Sequence, residues 1–274
     1  MNFGLIIIGD EILSGKRADK HLPKAIELLA ARGLSLAWAR YVGDDPERIT
    51  ADLRDAFDAA RRGDVVFSCG GIGATPDDHT RQCAARALGV PLALHPQAAE
   101  LIRERMRDVA REQGTPYEPD RADNVHRLNM GVFPEGARLI PNPYNKIAGF
   151  SLHPGGGAGG VFFVPGFPVM AWPMIEWVLD GHCAAAHRAV AVREKSVIVY
   201  GSMEATLTPL MQDIEARFAG IKVFSLPSVD HPEHGRHIEL GVKGGAGAGV
   251  AAAYEALKTG LHDFGARLGP EMVR

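Results

Sequence analysis

The sequence predicts an α/β protein built on a mostly parallel sheet, followed by a small α+β domain, and three observations carry that prediction. Through the first 180 residues, short apolar runs alternate with amphipathic stretches of helical period, as happens when parallel strands are joined by crossover helices. Glycines close successive amphipathic stretches at Gly33, Gly63 and Gly89, where each helix must stop. From residue 195 the order changes to strand, helix, strand, strand, helix. The domains expected are residues 1–180 and 190–268, with a linker around 181–194.

FGLIIIG (3–9) reads as a buried strand, ADKHLPKAIELLAARG (18–33) as a helix, and LSLAWARYVG (34–43) alternates as a strand should. PERITADLRDAFDAARRG (46–63) is a second helix, DVVFSCGG (64–71) a third strand, and DDHTRQCAARALG (77–89) the helix that leaves it. A helix at 97–112 and short strands at 137–140, 147–152 and 160–164 follow. A further helix begins after VPGFP (164–168), where Pro173 is expected to shorten or kink it. In the second domain, strands are expected at 195–200, 221–226 and 236–243, and helices at 203–218 and 249–266.

Composition narrows the function. A chain of 274 residues with 46% hydrophobic content can bury a core in each of two domains. A net charge of -3 gives no electrostatic case for a nucleic-acid backbone as the main partner, although it leaves room for a local basic patch; a small-molecule nucleotide or pterin ligand is expected from the motifs below. No apolar run reaches membrane length and the N-terminus enters a strand without a leader, so a cytoplasmic protein with no membrane partner is expected. Cys69, Cys83 and Cys183, odd in number and without a CxxC pair, read as reduced packing residues.

The segment SCGGIGATPDDHTRQ (68–82) concentrates chemistry. In open parallel sheets, ligands bind beyond the carboxyl ends of the strands, where glycine turns let backbone N–H groups approach a phosphate. Gly70, Gly71 and Gly73 follow the third strand, and Thr75-Pro76-Asp77-Asp78 reads as a helix start with Thr75 as N-cap. Capping explains Thr75, Pro76 and one acid; it leaves three glycines and a second acid unexplained. A divalent cation between carboxylate and phosphate would explain both. Acids also follow the first strand, as Asp10 and Glu11, and the second, as Asp44 and Asp45. Each pair alone is ordinary turn chemistry, but three successive strand tips would converge on one edge of the sheet. VPGFP supplies Gly166 and Pro168 at a fourth transition, and NPYNKIAGF (142–150) supplies Asn142, Asn145 and Lys146 for a heterocycle edge and a phosphate.

In order, GDEILSG, VGDDPERI, GGIGATPDDHT and VPGFP resemble the signature segments of the MoaB/Mog-type molybdopterin-binding domain. They are most similar to the N-terminal part of the competence/damage-inducible protein A (CinA) family, and REKSVIVYGSMEATLTPLMQDI resembles that family's KH-like domain. The resemblance implies a three-layer first domain and a metal-assisted site for a nucleotide diphosphate. It implies ADP-ribose pyrophosphatase chemistry in the CinA branch and molybdopterin binding in the wider superfamily. The acidic pair, expected to be catalytic and to hold magnesium, manganese, cobalt or nickel, falls on Asp44 and Asp78, with Asp10 assisting. Substrate-binding positions fall on Glu11, Gly70, Gly71, Gly73, Ala74, Thr75, Asp77, Thr80, Gly166 and Pro168. Ala74 stands where CinA sequences usually carry proline, and NKIAGF replaces a GTAPG-like run, which bears on substrate choice. A homodimer is expected, and the chain is too short for the nicotinamide mononucleotide deamidase domain that CinA proteins often carry.

Two further motifs read as structural. HPEHGRH (231–237) spaces three histidines as zinc ligands might be, but Pro232 and Gly235 preclude a helix, so a solvated loop is expected. Gly241-Val242-Lys243-Gly244 matches the letters of an RNA-clamping GxxG loop without a basic cluster around it.

Overall fold

Strand β1 (Phe3–Ile8) is buried at every residue, as a central strand covered on both faces must be. It opens a computed structural model that describes residues 1–187, 193–245 and 248–273 and divides into two units, Met1–His187 and Arg188–Arg274. The first unit continues with α1 (Asp10–Leu13), α2 (His21–Ala30), β2 (Leu36–Val42), α3 (Pro46–Arg61), β3 (Val65–Cys69) and α4 (Thr80–Leu88). Then come β4 (Leu92–Leu94), α5 (Pro96–Glu112), α6 (Ala122–Arg127), β5 (Val132–Pro134), β6 (Arg138–Ile140), β7 (Gly149–Leu152), β8 (Gly160–Val164) and α7 (Pro168–Gly181).

Six of these strands form one sheet in the order β2-β1-β3-β8-β7-β6, parallel through β8 and antiparallel beyond it. Alternation along β1 sends Ile6 and Ile8 to one face, with Leu53 and Phe57 of α3, and Leu5 and Ile7 to the other, with Leu28 of α2 and Met174 of α7. Helices therefore cover both faces, giving the three layers expected. Each fully buried Leu or Phe of these two cores contributes about 1.5–3 kcal/mol.

The strand order matters most for the site. Ile8 pairs with Val42, Ile7 with Cys69, and Cys69 with Val164, so four parallel strands end side by side. Whatever follows each of them gathers at one edge.

Some boundaries differ from expectation. Helix α2 starts at His21 because the Asp19 carboxylate accepts the amides of His21 (2.8 Å) and Leu22 (3.1 Å). Helix α4 starts at Thr80, so Thr75 is not a helix N-cap: residues 75–78 close a turn through Asp78 N–H to the Thr75 carbonyl, 3.0 Å. Helix α7 runs through Pro173 to Gly181. Strands β4 and β5 and helix α6 were not visible in the sequence pattern, being three, three and six residues long.

The second unit is β9 (Arg193–Tyr200), α8 (Glu204–Arg217), β10 (Ile221–His231), β11 (Gly235–Gly244), α9 (Val250–Asp263) and β12 (Arg267–Val273). Its antiparallel sheet runs β10-β11-β9-β12, with Leu207 and Ile214 of α8 and Tyr254 and Leu257 of α9 packed against Val197 and Leu240. Strand β12 was not expected; it carries a Gly-Pro, which a register shift between Leu268 and Glu271 accommodates. The Gly241–Gly244 stretch lies inside β11, paired to both neighbours. Part of the expected linker, 188–192, and residues 246–247 of the second glycine-rich stretch lie outside the described residues.

Candidate functional site

Beyond the ends of β1, β2, β3 and β8 lies a pocket of about 440 Å³. The backbone that forms it is built around glycine. Gly70 (φ 107°) donates its amide to the Val164 carbonyl at 3.0 Å, and a Cβ there would sit 2.3 Å from the Ile8 carbonyl oxygen. Only glycine fits. Gly71 (φ 68°) accepts the Thr80 amide at 3.0 Å, which ties the turn to the first residue of α4.

The structure brings Glu11, Asp44, Gly70, Gly71, Gly73, Ala74, Thr75, Asp77, Asp78, Asn142 and Gly166 to the walls of this one pocket. Asp44 and Asp78 therefore face a common space. Each commits an oxygen to the protein: Asp44 Oδ2 accepts the Asp10 amide at 2.9 Å, and Asp78 Oδ2 accepts the Thr75 amide at 2.8 Å and its hydroxyl at 2.6 Å. The Asp78 side chain also packs so close to Gly73 that a Cβ at residue 73 would meet its carboxylate at 2.5 Å.

Electrostatics mark Asp44. Partial burial pushes its pKa above the ordinary carboxylate value; the bond from the Asp10 amide opposes that, and the carboxylates of Asp10, Glu11 and Asp77 add to it. Hard oxygen donors crowded in this way suit magnesium or manganese, which take one or two carboxylates and complete their shells with water and phosphate. Among the described residues no three His, Cys, Asp or Glu side chains are gathered to hold a metal ion.

Four expected site residues stand outside the pocket. Asp10 lies behind Asp44, its Oδ1 accepting the Asp44 amide at 3.1 Å. Thr80 is buried, and its hydroxyl donates to the Gly70 carbonyl at 3.1 Å. Lys146, expected to hold a phosphate, instead pairs with Asp108 (2.7 Å) and Glu104 (3.5 Å) of α5. Pro168 is the first residue of α7 and lines a neighbouring cavity. Asn142 does line the pocket, but its amide donates to Asn145 Oδ1 and the Ile147 carbonyl and its oxygen accepts the Tyr144 amide, so it is spent on its own loop.

Arg81 was missed. This buried guanidinium reaches from α4 to the carbonyls of Gly73 (2.5 Å) and Asn129, and burial pulls its pKa down, against the opposing pull of Asp78. No spacing in the sequence marks it, since a helical arginine ordinarily reads as exposed. Arg17 and Phe167, which also line the pocket, were likewise unmarked.

The three histidines of the second unit sit where β10 turns into β11, the loop between two strands that was expected. Their rings pack on one another, with centroids 4.9 Å (His231–His234), 5.3 Å (His231–His237) and 5.6 Å (His234–His237) apart. His237 is buried. The three cysteines are free and buried, as expected. No helix among the described residues is long and apolar enough to cross a membrane.

A CinA-like protein of Anaeromyxobacter dehalogenans (strain 2CP-C) is 36% identical over 181 residues, 65% of this chain and 40% of that protein. One from Citrifermentans bemidjiense is 31% identical over 218 residues, 77% of this chain and 47% of that protein. The chain thus matches less than half the length of these curated relatives. The crystal structure of the protein CinA with unknown function from Thermoplasma acidophilum shares the fold at a TM-score of 0.53 and 24% identity, covering 66% of this chain and 99% of that one. Residues 4–184 match the family described as a probable molybdopterin binding domain, and with its glycine turn, acidic strand tips and three-layer sheet the chain belongs to that family.

Proposed function

We propose that the first unit hydrolyses the diphosphate of ADP-ribose or a related dinucleotide with the help of a divalent cation. One observation supports this above the others: carboxylates from three strand tips share a pocket of about 440 Å³ with a glycine turn. The amides of Gly70 and Thr75 are spent on Val164 and Asp78, which holds the turn in place; those of the residues between them suit phosphate oxygens. Asp44 and Asp78 would hold the cation, which supplies charge neutralisation and a more acidic bound water. Glu11 reaches the same space with only a long ion pair to Arg17 (3.8 Å), whereas Asp10 is tied to the Asp44 amide, and so Glu11 is the better candidate to accept a proton. Catalysis of this kind is mostly positioning and neutralisation.

A second reading, a carrier that binds molybdopterin or a nucleotide without turnover, is favoured by the lack of three gathered ligand side chains among the described residues. One experiment separates the two. Purified protein is incubated with ADP-ribose and with FAD, with and without manganese, cobalt or magnesium. AMP release that Asp78→Asn abolishes supports hydrolysis; tight pterin binding without turnover supports the carrier.

A further inference from the structure

The pocket beside the glycine turn has an apolar wall of its own, where Met130, Ile147 and Met170 stand half-buried. A second cavity, of about 270 Å³, opens beside it and shares Ile8, Glu11, Arg17, Gly166 and Phe167 with it. This cavity has an apolar wall too, to which the half-buried Ile12 contributes, and none of the three residues of the first wall lines it. Phe167 stands where the two spaces meet, 56% exposed. Its backbone is pinned from both sides. The Gly166 carbonyl accepts His21 Nε2 at 3.0 Å, and the Phe167 carbonyl accepts the amides of Met170 (3.0 Å) and Ala171 (2.9 Å) in the first turn of α7. The Arg17 guanidinium lies 5.8 Å from the ring centroid, and its ion pair with Glu11 is long, 3.8 Å.

We infer that Phe167 is the platform on which a second aromatic base stacks, so that the first unit prefers diphosphates with a base at each end over ADP-ribose, which has a base at one end only. The inference rests on the nucleotide reading above and narrows its substrate class. Three features point the same way. Two adjoining spaces each offer an apolar wall to a flat ring, with the acids and the glycine turn in the space between them suited to the diphosphate. Arg17 borders both spaces and holds only a long ion pair, so its guanidinium can meet a phosphate on the way from one base to the other. The Phe167 ring is accessible from both spaces on a backbone already fixed, so little order has to be gained before a base stacks on it.

The test uses the full chain and calorimetry in calcium, with three probes: ADP, ADP-ribose and diadenosine diphosphate, each checked by chromatography to stay intact. Diadenosine diphosphate differs from ADP-ribose only by an adenine in place of the far anomeric hydroxyl. The wild type is expected to bind it about tenfold or more tighter than ADP-ribose, the gain that stacking one base on an aromatic ring supplies. Phe167→Ala is expected to abolish that preference, and Phe167→Tyr, which keeps the ring, to preserve it. Both variants change only an exposed side chain and leave the backbone bonds of the turn in place, so the fold is expected to hold. Equal wild-type affinity for ADP-ribose and diadenosine diphosphate overturns the inference. A preference that Phe167→Ala leaves intact, or that Phe167→Tyr loses as fully as Phe167→Ala, overturns it too. If ADP-ribose binds and the second adenine adds nothing, the nucleotide reading stands and only the platform falls. If none of the three binds, the nucleotide reading fails and takes the inference with it.

Discussion

Asp10 and Asp44 hold each other: the amide of Asp10 donates to Asp44 Oδ2 at 2.9 Å, and the amide of Asp44 donates to Asp10 Oδ1 at 3.1 Å. The pair clamps the tips of β1 and β2 and holds Asp44 at the wall of the pocket. Asp10→Asn keeps an acceptor and is expected to be nearly silent in stability. Asp10→Ala leaves the Asp44 amide unpaired and is expected to cost about 0.5–1.5 kcal/mol. Urea unfolding of the two variants checks this, and equal losses would show that the clamp contributes nothing.

Gly70 and Gly15 both have positive φ, 107° and 71°, but differ in surroundings. A Cβ at Gly15 meets nothing within 4 Å, whereas at Gly70 it would lie 2.3 Å from the Ile8 carbonyl oxygen. Gly15→Ala should therefore cost only the left-handed conformation, about 1–2 kcal/mol. Gly70→Ala adds a steric conflict with backbone that cannot rotate away, for a total of about 3 kcal/mol or more. Denaturant midpoints of the two proteins measure the difference.

Much of this site was legible because its causes are local. The all-apolar β1 and β3, and glycines at their ends, announce buried parallel strands that stop at turns, and parallel order then brings the tips together. Lys146 was illegible because its direction depends on partners far away in sequence: its own φ of 66° and the acids Glu104 and Asp108 on α5 turn it from the pocket. Thr75 to Asp78 misled for a subtler reason. Asp78 does accept the Thr75 amide, as the third residue of a helix would, but the helix waits until Thr80, whose amide bonds the Gly71 carbonyl. The three histidines were read correctly as a turn between strands, because Pro232 and Gly235 rule out the helix that their spacing would otherwise suggest.

The proposed metal role makes affinity depend on phosphate. If a divalent cation sits on Asp44 and Asp78, two carboxylates leave most of its shell to water and to a phosphate co-ligand. Manganese titrated alone is expected to bind weakly, and to bind about tenfold or more tighter when pyrophosphate is present, as counted by the electron paramagnetic resonance signal of the free ion. Tight binding without phosphate would contradict this.

His153 should make the first unit sensitive to acid. Its Nδ1 lies 3.0 Å from the Gly159 carbonyl and its Nε2 3.1 Å from Ser151 Oγ, so the neutral ring donates from Nδ1 and accepts the serine hydroxyl at Nε2. Burial holds its pKa below the ordinary 6.5; the bond to Gly159 opposes this, while His182 and Arg138 reinforce it. The unfolded chain therefore takes up a proton before the folded one does. Stability from this group is complete above 6.5 and is lost as pH falls from there through the folded value. Urea midpoints between about pH 7.5 and about pH 5.5 should fall, and fall less in His153→Gln.

Arg81 carries the last prediction, because two opposing effects meet there. Its guanidinium bonds the carbonyls of Gly73 and Asn129, and its Nε is buried without a partner. Charge-assisted bonds of this kind contribute about 1.5–3 kcal/mol each, while burying the charge opposes them by several kcal/mol. Arg81→Met removes both effects, so its net change in global stability should be small, within about 2 kcal/mol. Local order should respond far more. The fork joins the glycine turn to the segment around Asn129; Met has no donor, and Lys offers a point charge without the planar fork that holds the two carbonyls in fixed geometry. Hydrogen exchange in the amides of residues 71 to 75 is expected to quicken about tenfold in either variant relative to exchange in β1. Unchanged exchange in both variants would mean that the turn is held by Thr80 and Asp78 alone.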